Sequence, residues 1–226
     1  MRLNLKQLYG RKLGADDGEF GHVKDVYFDD QSWKIRYLVA DTGSWLSGRQ
    51  VLLSPHAFEI TALTANPPSH RALPVNLTRK QIEDSPSIES HRPISRQFEE
   101  EYYAYYGWPI YWQAAAILTG AGVPPLATSP TEATHHGHNQ RDDLHLRSTK
   151  ATTGFHVKGK DATVGTVDDF IVDPKKWTIP EIAVEAGHWY DGKTILLSTA
   201  KVSEISYEDS TVTTGLTMKE LARPRA

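Results

Sequence analysis

One pattern occurs twice in this chain, and that limits what it can fold into more than any other feature. Residues 10–58 align with residues 154–202 at a constant offset of 144 without a gap, and 14 of those 49 positions are identical. The shared positions include Gly10/Gly154, Gly21/Gly165, Asp25/Asp169, Trp33/Trp177, Trp45/Trp189 and Leu52/Leu196. Self-similarity at fixed spacing marks a repeated structural unit. The 226 residues therefore divide into two small domains rather than one large one. Each is near the lower size limit for a self-sufficient core, so each is expected to lean on a partner surface.

Within the first copy the signals are short strands and tight turns. Asp16-Asp17-Gly18 and Asp29-Asp30-Gln31-Ser32 are turn sequences, since Asp and Gly tolerate the dihedrals that turns require. Gly21–Phe28 and Trp33–Asp41 read as strands. In the second, Trp33, Ile35, Tyr37 and Val39 alternate against Lys34, Arg36, Leu38 and Ala40, which predicts an apolar face inward and a mixed face outward. Arg49–Ser54, Phe58–Ala62 and Arg71–Val75 supply three more strands. Five or six short strands in so few residues predict a small antiparallel barrel, because closure removes exposed edges. In the second copy Pro180 interrupts the equivalent strand, which predicts an edge position or a bulge there.

Both copies end in the same helical device. Thr78 with Gln81, and Thr217 with Glu220, are spaced as capping boxes, and Leu77/Ile82 and Leu216/Leu221 occupy staple positions. Between the copies, Ser95–Tyr106 predicts a helix with Phe98, Tyr102, Tyr105 and Tyr106 on one stripe. The apolar stretch Ile110–Leu118 and a Pro-, Gly-, Ser- and His-rich linker over 120–139 follow. The expected division is a first domain over 1–85, a connector over 86–145 and a second domain over 146–226. The fold class is mainly β: two small antiparallel β-barrels joined by a partly helical connector.

Several residues together carry a resemblance. Gly10-x-x-Leu13, Gly18-x-x-Gly21-x-Val23-x-Asp25, the strand Trp33–Asp41 and Val51-Leu52-Leu53-Ser54-Pro55 are similar to the PRC-barrel domain, which occurs in the photosynthetic reaction centre H subunit. Gly165-x-Val167-x-Asp169-Phe170, Trp177-x-Ile179 and Lys193–Ser198 repeat much of that pattern, so the chain resembles a tandem PRC-barrel protein. The resemblance implies docking onto other proteins more than chemistry. The H subunit likeness implies an alternative, an accessory protein of an electron- or proton-transfer membrane complex, with Asp41, His22 and His56 as relay groups.

The candidate partner-binding residues are Trp45 and Trp189, at the centres of loops 43–48 and 187–192, and the connector aromatics Tyr102, Tyr106, Trp108 and Trp112. Trp and Tyr favour interface hot spots. The two loop tryptophans could equally plug the barrel ends, and the connector aromatics could clamp onto the barrels. His135, His136, His138 and His145, with Asp142 or Asp143, offer metal-ligating groups, but nothing in that segment fixes their angles. The repeated carboxylates Asp17, Asp25 and Asp29, with Asp161, Asp169 and Asp173, are expected to serve turns and bulges rather than acid–base catalysis.

The net charge of −3 gives no footprint for nucleic acid. The absence of cysteine removes disulfides, thiol catalysis and thiolate metal sites. Patterns for a serine nucleophile elbow, a phosphate loop or a zinc hydrolase do not occur. The reading is a non-enzymatic interaction or scaffold module without cofactor or metal, acting on a protein partner or on itself. It is expected to be cytoplasmic, with no integral membrane segment.

Overall fold

The structure, a computed structural model, describes residues 2–59, 72–85, 102–108 and 145–222. Met1–Asp84 and His145–Ala226 form one compact unit, and Ser85–Leu144 a second.

The larger unit is mainly β and holds two mixed sheets. In the first, strands run in the order β5 (Gln50–Leu53), β4 (Ile35–Asp41), β3 (Gly18–Asp29), β2 (Lys12–Ala15), β6 (Leu73–Pro74). In the second the order is β11 (Thr194–Ser198), β10 (Thr178–Ala186), β9 (Thr163–Asp173), β8 (His156–Lys158), β13 (Thr211–Thr214), β12 (Val202–Ser206). Among the described residues neither path closes into a barrel. Nor are the sheets purely antiparallel as the sequence predicts. β6 runs parallel to β2 with Leu13 opposite Leu73, and β13 runs parallel to β8 with Val157 opposite Val212. The physical reason is connection length: both pairs are joined through the rest of their own repeat, long enough for a parallel crossover.

The offset of 144 is preserved in the pairing. Val23 opposes Ala40 and Asp25 opposes Val39 across a bulge, and Val167/Val184 and Asp169/Ala183 repeat it. Gly21 is required by a close approach: a Cβ there would lie 2.2 Å from the Asp41 carbonyl oxygen, and at Gly165 2.0 Å from that of Glu185. Pro180 falls in a register shift between Thr178 and Glu181, the predicted bulge.

Both predicted capping boxes form, at α1 (Arg79–Glu83) and α2 (Met218–Leu221). Asp17 Oδ1 accepts the Arg79 amide at 2.8 Å, and Asp161 Oδ1 accepts the Met218 amide at 3.0 Å. Asp29 and Asp173 take turn amides from Ser32 and Lys175.

Strand β4 departs from expectation in two ways. It begins at Ile35, because Trp33 adopts a left-handed φ of 55° and belongs to the turn. Both of its faces are buried, including Arg36, Leu38 and Ala40. Leu38 and Ala40 are apolar, so the alternation distinguishes two buried faces rather than core from solvent.

The two sheets are joined by reciprocal exchange. β1 (Leu3–Asn4) leaves the first repeat and pairs with β9, setting Leu3 against Val172 and Asn4 against Ile171. β7 (Leu146–Ser148) precedes the second repeat and pairs with β3, setting Arg147 against Phe28 and Ser148 against Tyr27. The two sets of partners are related by 144. Between them, Lys34 bridges Thr178, the Ile35 amide donates to the Trp177 carbonyl at 2.8 Å, and the Ile179 amide donates to that of Trp33 at 2.8 Å. A pseudo-twofold axis therefore passes between Lys34 and Thr178. Phe28 and Phe170 meet beside it, with ring centres 5.6 Å apart.

In the second unit, residues 102–106 are helical, and Tyr106 stacks on Trp108 at 4.5 Å. The predicted strand Phe58–Ala62 beyond residue 59, most of the Ser95–Tyr106 helix and all of Ile110–Leu118 lie outside the described residues.

Candidate functional site

The loop tryptophans occupy equivalent turns but different settings. Trp45 is half-buried, edge-on to Phe20 at 6.1 Å, with the Arg79 guanidinium 4.5 Å above its ring. Trp189, also half-buried, donates its indole N–H to the Val164 carbonyl at 2.6 Å and packs on Tyr190. The difference follows from sequence, since the counterparts of Phe20 and Arg79 are Val164 and Met218. Beside Trp189 lies a groove of about 620 Å³ lined by Tyr190, Leu196, Lys201, Leu216, Glu220 and Leu221. Leu196 is 39% exposed there, whereas its counterpart Leu52 is 1% exposed.

The connector aromatics form a cluster in the second unit. Tyr102 is buried and meets Tyr106 at 5.0 Å and Trp108 at 6.0 Å; Tyr105 is 42% exposed. Trp112 lies outside the described residues, as do His135, His136, His138, Asp142 and Asp143. Among the described residues no group of three or more His, Asp or Glu could hold a metal ion.

Asp41, a candidate relay, is a turn carboxylate. Its Oδ1 accepts the Gly43 amide at 2.9 Å, and that bond, aided by Lys24 and His22, holds it below the usual carboxylate range. Such a group stays ionised near neutrality and is a poor proton carrier.

The repeated aspartates Asp25 and Asp169 lie where the arms cross. Asp25 Oδ1 accepts the Val26 amide at 2.7 Å and the Lys150 amide at 3.2 Å; Asp169 Oδ1 accepts the Phe170 amide at 2.8 Å and the Lys6 amide at 3.0 Å. Each carboxylate thus satisfies its own bulge and ties down the other repeat's arm. Asp25 also accepts the Ser148 hydroxyl at 2.5 Å on Oδ2. Asp169 is raised in pKa, chiefly by burial and against the two amides that lower it.

Sequence reasoning placed these aspartates in a bulge but missed their partners across the repeats. A signal was available: Lys6 and Lys150 are also identical at the same offset, just upstream of the aligned block.

A second cleft opens between the repeats. Asp30 accepts Arg147 Nε–H at 2.6 Å and pairs with His145 Nδ1 at 2.9 Å; Trp33, Val202, Ser203 and Glu204 are among the other residues that line it. At the equivalent place in the other repeat Phe58 packs on Trp177 at 5.9 Å, and its counterpart Val202 is too small to fill the space beside Trp33.

No helix among the described residues is long and apolar enough to cross a membrane. No curated protein matches the chain. Within it, residues 4–64 match the PRC-barrel domain.

Proposed function

We propose that the protein is a non-enzymatic interaction module, built from two PRC-barrel repeats whose junction fixes their mutual orientation, and that it docks a protein partner. The match over residues 4–64 supports an interaction module. The observation that carries the reading is the groove beside Trp189, where Leu196 is 39% exposed while the same residue of the first repeat is buried. Tyr190, Leu196 and Leu221 offer an apolar centre, and Lys201 and Glu220 a charged rim. An apolar centre with a polar rim is the ordinary anatomy of a protein interface.

A photo-crosslinking residue at position 196 tests this. In native extract it should give a discrete protein adduct, absent when the same residue stands at exposed position 158. Equal labelling from both positions would end the proposal. The relay alternative has less support, because Asp41 is committed to its turn.

A further inference from the structure

We propose that the two exchanged arms work as one coupled clasp, so that freeing either arm from the opposite repeat loosens the other. This does not depend on the groove reading above. The first arm, residues 2–9, is held by acidic groups of the second repeat. Arg2 pairs with the buried Glu181, the Lys6 amide donates to Asp169, and the Lys6 ammonium meets Asp168 at 2.5 Å. Leu5 and Leu8 are fully buried. The second arm, residues 145–152, is held by acidic groups of the first repeat. His145 and Arg147 bind Asp30, while the Ser148 hydroxyl and the Lys150 amide bind Asp25.

The arms also touch one another. Tyr9 Oη and Thr149 Oγ1 are 2.8 Å apart, and the Lys150 ammonium lies 5.0 Å from the centre of the Tyr9 ring. Thr149 Oγ1 is within reach of the Val26 carbonyl and Asp25, both acceptors, so Tyr9 is the donor to it. The end of one arm therefore rests on the anchor of the other. Geometry adds a second coupling. Each docked arm fixes the repeats in place and raises the effective concentration at which the other arm finds its site.

Hydrogen exchange on the full chain tests the clasp. Asp169→Ala removes an anchor of the first arm only. It should speed exchange about tenfold in residues 2–9 and, as the coupling requires, in 145–152, while 156–158 and 211–214 keep wild-type protection. In a Tyr9→Phe background the effect on 145–152 should fall below about threefold. Wild-type rates at 145–152 alongside a freed first arm would overturn the proposal. If Asp169→Ala also exposes the 156–158 and 211–214 reference amides, the same measurement on Arg2→Ala, at the arm's outer end, decides the question by the same criteria.

Discussion

Asp25 and Asp169 occupy the same bulge, yet they answer differently to the same substitution. Asp25 uses both oxygens, with amides on Oδ1 and the Ser148 hydroxyl on Oδ2. Asp25→Ala strands those donors and should cost about 3 kcal/mol in urea unfolding, with Asp25→Asn recovering most of it through its remaining oxygen. For Asp169 both amides fall on Oδ1, so Asn can replace it with little loss. Its raised pKa fixes the sign of a pH effect. The folded state favours the protonated carboxyl, so this group's contribution is full below its unfolded pKa and is lost as pH rises through the folded value. Measured from about pH 4 upward, the melting temperature of wild type should therefore fall relative to Asp169→Asn. At Gly21 and Gly165 a methyl group would collide with a neighbouring strand's carbonyl. Gly21→Ala and Gly165→Ala should each cost about 2 kcal/mol or more. These glycines and aspartates were legible as repeated positions, since both copies keep them. The arm that each aspartate holds was not, because the Lys150 and Lys6 amides lie more than 120 residues away in the sequence.

Among the elements, the short ones carry the most long-range consequence. β1 contributes two residues, and the turn after it buries Leu5 completely. Leu5→Ala should cost about 3 kcal/mol by chemical denaturation although it lies upstream of the aligned block. The capping boxes and the turn aspartates Asp29 and Asp173 were readable because their partners are local and their spacing is stereotyped, whereas Asp17 and Asp161 accept helix amides 62 and 57 residues away. β1 and β7 were not, since segments of two and three residues are too short to show a period of two. The parallel pairs β2/β6 and β8/β13 were likewise hidden, as hydrophobic alternation marks a strand's face and not its direction. Strand β4 shows the opposite failure: its alternation is real but both of its faces are covered.

Over the whole molecule, the exchange makes Met1–Asp84 and His145–Ala226 a single compact unit. The two repeats should therefore unfold together, as one calorimetric transition whose van't Hoff and calorimetric enthalpies agree for that unit. Two resolved transitions assigned to separate repeats would contradict this. The duplication was plain in the sequence, whereas the reciprocal arrangement depends on pairings that no local pattern encodes. The Lys34–Thr178 bridge on the pseudo-axis carries a further consequence. In a symmetric dimer of identical chains, a residue on the axis must face itself, and a lysine there would meet a second lysine at close range. Fusing both halves into one polypeptide lifts that restriction. Positions that a symmetric dimer would hold alike are free to differ, as Lys34 and Thr178 do, and as Arg147 does from Leu3.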